Sequence, residues 1–222
     1  MYYPEFKKMV NVHPESESRR GGYKIQHLSA SEPSYFEKVY NHEIFGQREQ
    51  KICVLRDLNK GEIVMSDSWM EQDTNIKIVR AAHGHVLVAG LGIGMILLAL
   101  QDKPNVKSIT VVEISQELHD FIRPNLILND KVDIVISDIH DYKAPRVFDF
   151  VYCDIWNGIS GYNLDEMLDL TSKFYNNNEV HHWRYFTTEE KYIESQGLDL
   201  CDYELNYGHM YQDFNSLCDE EN

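Results

Sequence analysis

A chain of 222 residues holds one sizeable core and has no need of a second full domain. Its formal net charge of −15, with no local basic patch visible along the sequence, argues against a phosphate-backbone ligand and for small cationic ones. No window approaches the ~20 apolar residues of a membrane span, and the first residues lack an apolar signal core. The four cysteines, Cys53, Cys153, Cys201 and Cys218, form neither a CxxC pair nor a metal cluster, so free thiols in the cytoplasm are expected.

In chain order, residues 1–20 are polar and read as an exposed arm that ends in the turn Gly21-Gly22. Residues 51–56, a turn over 57–61 and residues 62–65 have the pattern of a hairpin, which marks 23–67 as a small β-rich cap. Ser66 or Asp67 then caps a helix whose buried stripe is Trp69, Met70, Ile76, Val79 and Ala82. This divides the chain into an arm and cap, 1–67, and a main domain with an acidic tail, 68–222.

The main domain alternates strands with helical segments. Residues 86–89 are a short apolar run suited to a strand buried on both faces, and residues 95–100 a helix that ends before Pro104. A second strand over 108–112 precedes a helix capped by Ser115 that runs to about 128 and is divided at Pro124. Strands over 132–136 and 148–153, a helix over 164–170 and a strand over 180–186 follow. Such alternation predicts an α/β fold, a doubly wound parallel sheet with right-handed crossovers, here short at its C-terminal side.

In such a sheet, ligands bind at the carboxyl ends of the strands. There stands Gly90-Leu91-Gly92-Ile93-Gly94, where glycines permit a tight turn and close approach of a ligand to backbone N–H groups. The spacing is GxGxG; a dinucleotide fingerprint would need a small residue at Met95. Glu113 ends the second strand, where a carboxylate can accept from both hydroxyls of a ribose. The pairs His83/His85 and His181/His182 have no third ligand at metal spacing, and no metal site is expected.

Residues 86–94, Val111-Val112-Glu113-Ile114 and Ile136-Ser137-Asp138-Ile139 resemble the first three cofactor motifs of the class I S-adenosylmethionine-dependent methyltransferases, over about residues 84–156. With the hairpin cap in front, the layout is most similar to the spermidine synthase-like group. The resemblance implies a Rossmann-like methyltransferase sheet and S-adenosylmethionine as cofactor. It places Gly90, Leu91, Gly92 and Gly94 beside the methionine moiety, Glu113 on the ribose, Asp138 near the adenine amino group, and Ile114 and Ile139 on the two faces of the adenine ring. It also implies a homodimer.

Two positions depart from the polyamine enzymes. Asp154-Ile155-Trp156-Asn157 stands where those enzymes carry Asp-Ser-Ser-Asp, so the first acid is kept as Asp154 and the second is Asn157. Ile93 replaces a glycine-loop acid, which removes a like-charge penalty against a carboxylated cofactor. The expectation is therefore a methyltransferase-fold protein with a small-molecule acceptor and no nucleic acid or membrane partner. Asp154 is its candidate catalytic residue, with Trp156 and Asn157 facing the acceptor from one side and Asp67 and Trp69 from the other. An aminopropyltransferase and a noncatalytic nucleoside-binding protein are the alternatives.

Overall fold

The structure is a computed structural model that describes residues 3–15, 21–29, 51–156, 163–174 and 179–182. In β4 (Gly84–Ala89), alternate side chains enter two different cores: Val86 and Val88 join one cluster, Leu87 and Ala89 the other. A strand with apolar residues on both faces must lie inside a covered sheet. It pairs in parallel with β5 (Val106–Glu113) on one side and β7 (Phe150–Cys153) on the other. The order is completed by β6 (Val132–Ile136) beyond β5 and β8 (Glu179–His182) beyond β7.

The helices α2 (Met95–Leu100), α3 (Gln116–Ile122) and α4 (Leu164–Phe174) follow β4, β5 and β7. Ser115 caps α3, its hydroxyl accepting from the Leu118 N–H at 3.1 Å. The helix expected to reach 128 stops at Ile122 and gives way to a 3₁₀ turn, Arg123–Asn125. Pro124 explains the stop, since it has no N–H to donate and its ring excludes the preceding turn's carbonyl. Of the strand expected over 180–186, residues 183–186 lie outside the described residues, as does the acidic tail.

The cap is a three-stranded antiparallel sheet: β1 (Tyr23–Ser29), β2 (Lys51–Asp57) and β3 (Glu62–Ser66). Its hairpin matches the sequence pattern, while β1 is a strand that the pattern left unassigned. The helix after it, α1 (Trp69–Ala81), is capped by Ser68 in place of the expected Ser66 or Asp67. The cap shares the larger core with the parallel sheet, since Ile25, Cys53, Leu55 and Met65 cluster with Val86, Val88 and Ile109.

The N-terminal segment corrects a sequence expectation, because it is no exposed arm. Phe6, Met9 and His13 are buried, and Met9 opens a 3₁₀ turn, Met9–Asn11. Its anchor is Asp67, fully buried, whose carboxylate accepts from the Met9 N–H at 2.8 Å and the Cys53 N–H at 2.7 Å. Three separate stretches of chain meet on this one side chain. Among the described residues no helix is long and apolar enough to cross a membrane.

Replacing Asp67 by Ala would leave two buried N–H donors without an acceptor, and each such loss costs ~1–3 kcal/mol. Urea unfolding should show Asp67→Ala destabilised by about 3 kcal/mol, with Asp67→Asn, which keeps one carbonyl acceptor, affected less. Equal stability of Asp67→Ala and the parent would remove Asp67 from this anchoring role.

Candidate functional site

At the carboxyl ends of β4, β5 and β7 the loops enclose a cavity of about 530 Å3. The glycine loop forms one wall because the strand ends converge there: the Gly90 N–H donates to Val112 O and the Asp154 N–H to Ala89 O, both at 2.9 Å. Gly90 has φ of 100°, and a Cβ on it would lie 2.3 Å from the Asp154 carbonyl oxygen. Only glycine lets these two backbones approach so closely. At Gly92, with φ of 50°, a Cβ would stand 2.2 Å from the Met65 sulfur, so β3 lies directly against the loop.

Glu113 is buried and uses both oxygens within the fold. Oε2 accepts from the Leu91 N–H at 2.9 Å and Oε1 from the Ser115 N–H at 2.7 Å. Burial raises its pKa, and the two backbone N–H donors oppose that shift. Each carboxylate oxygen keeps a lone pair for a further donor, and the residue still lines the cavity. Next along the rim, Ile114 is 69% exposed over the cavity, whereas Ile139 is buried against Val112 and Leu87 with part of its surface in the lining. Asp138 is half-buried and its Oδ1 accepts from the His140 N–H at 2.8 Å.

On the far side Asp154 is half-buried, and no hydrogen bond or ion pair engages its carboxylate among the described residues. Burial pushes its pKa up to about 7, so it is poised to exchange a proton near neutrality. Glu71, from α1, lines the same cavity. Beneath these acids the Tyr152 hydroxyl donates to Asn75 Oδ1 at 2.5 Å, and burial lifts the phenol far above its usual range. Trp156 is fixed by its indole N–H, which donates to Glu166 Oε2 at 2.7 Å, while His140 Nε2 donates to Oε1 at 2.9 Å.

The structure thus brings Gly90, Leu91, Gly92, Glu113, Ile114, Asp138, Ile139, Asp154 and Trp156 to one cavity. Gly94 instead caps α2 and packs against Leu126, and the Ile93 side chain is in the core rather than in the lining. Asp67, expected at the acceptor, is not in the lining and serves the fold. Trp69 begins α1 with a side chain outside the described ones, and Asn157 lies outside the described residues.

Glu166, His140, Glu71 and Met65 were not signalled as site residues. Glu166 sits in a run recognisable only as helical, and Met65 in a strand. His181 and His182, which offered no metal spacing in the sequence, are buried at the end of β8. His181 stacks on Phe150, and His182 Nε2 bonds to Thr171 Oγ1 at 2.9 Å.

No family model matches the chain, and no curated protein is similar enough to match it. Solved structures similar to part of it include a DhpI–SAH complex, with 18% identity over 50% of this chain and 54% of that one and a TM-score of 0.39. Coclaurine N-methyltransferase bound to N-methylheliamine and SAH has 21% identity over 50% and 33% of the two chains, with a TM-score of 0.37. An S-adenosylmethionine-dependent methyltransferase from Clostridium acetobutylicum has 20% identity over 46% and 41%, with a TM-score of 0.33. The chain spans about half or less of the length of these structures.

A methyl group at Gly90 would have to displace the Asp154 backbone as well as adopt a positive φ. Gly90→Ala should therefore lose about 2 kcal/mol or more in urea unfolding. A variant as stable as the parent would show that the two loops are free to separate.

Proposed function

We propose that this chain is an S-adenosylmethionine-dependent methyltransferase acting on a small-molecule acceptor, with the cofactor along the glycine loop and the acceptor against Asp154. The observation that carries this is the order of groups around one cavity: glycine loop, Glu113, exposed Ile114, Asp138, then Asp154, whose carboxylate has no partner among the described residues. These groups fit the cofactor by their chemistry. A carboxylate with spare lone pairs suits a ribose diol, an exposed apolar side chain suits a purine face, and an acid suits an exocyclic amine.

When bound, the cofactor supplies an activated methyl group on a sulfonium. The protein's part is then to position and to move a proton. Glu113 and the loop N–H groups fix one end of the cavity, and Trp156, locked by Glu166, walls the other. Asp154, with its pKa near 7, accepts the proton of an amine or hydroxyl acceptor. The negative lining of Glu71, Glu113, Asp138 and Asp154 favours a cationic ligand.

A spermidine synthase-like aminopropyltransferase is the second reading, favoured by Asp154 and Glu71 facing one space where an amine would sit. The two differ in the cofactor's carboxylate. With Ile93 in the core, no acid at that position meets a carboxylate in the cavity. A cytoplasmic setting and a homodimer belong to the same proposal.

Calorimetry should detect S-adenosylmethionine or its demethylated product, with the carboxylated compound preferred over the decarboxylated one. Glu113→Ala should cost about 1–3 kcal/mol of affinity, the range for charge-assisted hydrogen bonds. Preference for the decarboxylated cofactor would select the second reading, and unchanged affinity in a folded Glu113→Ala would overturn the ribose role.

For Asp154 the proton-accepting form is the carboxylate, so kcat/KM should rise with pH through about 7 and then level. Asp154→Asn should lower turnover by roughly a hundredfold or more and abolish that limb while leaving cofactor affinity nearly intact. Equal turnover would return Asp154 to loop structure. Cofactor binding with no acceptor in a broad screen would favour a noncatalytic pocket.

A further inference from the structure

The crossover from β6 to β7 carries no helix among its residues, which are all described, and a second cavity of about 490 Å3 opens beside it. Its base is apolar and aromatic, formed by the buried Phe148, Val151 and Phe174, and Val147 lies at it 57% exposed. Among the described residues the two linings have only His140 in common.

The lining also carries polar groups with donors to offer. Tyr142 lines the cavity, 8% exposed as a whole residue, and its hydroxyl makes no hydrogen bond to any described residue. Burial raises its pKa, with Asp133 adding to the shift and Arg146 opposing it, so it is present as a neutral donor.

Around it stand Lys143 and Arg146, both exposed, and neither is paired with a carboxylate among the described residues. Arg146 Nη1 lies 3.1 Å from His85 Nδ1, leaving the rest of its guanidinium fork. Lys173 adds a third positive charge, although its ammonium donates to Ile139 O at 2.8 Å and to His140 O. Asp141 is the sole carboxylate in the lining among the described residues. A chain with a net charge of −15 has here gathered cations around an aromatic hollow.

We propose that this cavity binds a small anion with an aromatic body, the ring resting on Phe148 and Phe174 and the head held by Arg146, Lys143 and the Tyr142 hydroxyl. The shared chemistry is a carboxylate or phosphate head on an apolar body. A planar guanidinium suits either head, and the apolar base distinguishes both from a bare inorganic ion. Bulky apolar ligands without charge gain the base but leave the cations unanswered.

The test is an NMR titration of the full chain with benzoate, phenyl phosphate, inorganic phosphate and benzyl alcohol in turn. At least one aryl anion should bind saturably in the millimolar range, and the tighter of benzoate and phenyl phosphate identifies the head. Inorganic phosphate and benzyl alcohol should each bind about tenfold more weakly than that anion, since each lacks one half of the recognition. Arg146→Ala should weaken the aryl anion about tenfold and Tyr142→Phe several-fold. Tyr142→Phe keeps the ring and Arg146 is exposed, so urea unfolding should report both variants folded. Absence of aryl-anion binding, equal binding of inorganic phosphate or benzyl alcohol, or affinities unchanged in both folded variants would each overturn the proposal.

Discussion

The backbone of Gly90 and the carbonyl of Asp154 meet at a distance that no side chain would allow, and the geometry of the cavity follows from that approach. Two hydrogen bonds, from Gly90 to Val112 and from Asp154 to Ala89, fix the ends of β4, β5 and β7 against one another. Glu113 then ties the glycine loop to the start of α3 through the Leu91 and Ser115 N–H groups. A buried carboxylate that holds two backbone donors is costly to move, which makes Glu113, the glycine loop and the strand ends a rigid array.

The cap is built into this array. The Ile93 N–H donates to the Met65 sulfur at 3.3 Å, and Ile93 O lies 2.7 Å from His13 Nε2. A carbonyl only accepts, so Nε2 carries the proton and Nδ1 is left as the acceptor for the Asn125 amide, 3.3 Å away. Burial lowers the His13 pKa, consistent with a neutral ring in this role. The first residues of the chain, the cap and the glycine loop thus hold one another, with Asp67 completing the connection through Met9 and Cys53.

Charge is partitioned more finely than the net value implies. The first cavity gathers Glu71, Glu113, Asp138, Asp154 and Glu166, while the second gathers Lys143, Arg146 and Lys173. The two sets line different cavities, so a local cationic hollow stands on an acidic chain. The loop of residues 138–140 lies between the two environments: Asp138 caps it on one side, and Lys173 holds its carbonyls on the other.

The order of strands and helices in the parallel sheet was legible in the sequence, because apolar runs of strand length, the glycine loop and helix caps are local signals. So were Gly90, Glu113, Asp138 and Asp154, since each stands at a strand end whose position follows from the alternation itself. What contacts across long separations decide was not legible there. Met9 reaches Asp67 over 58 residues and His13 reaches Ile93 over 80, and nothing in a polar N-terminal stretch announces a buried partner that far away. Asp67 and Ser68 are both good cap residues, and only the packing of the segment against β2 gives the carboxylate to the fold and the hydroxyl to the helix. The cations at 143, 146 and 173 form no charge run, and become a patch only when α4 returns across the sheet beside the β6–β7 loop. Local chemistry fixes which residues can turn, cap or pair; tertiary structure decides which distant groups they meet, and so whether an acid serves the fold or faces a ligand.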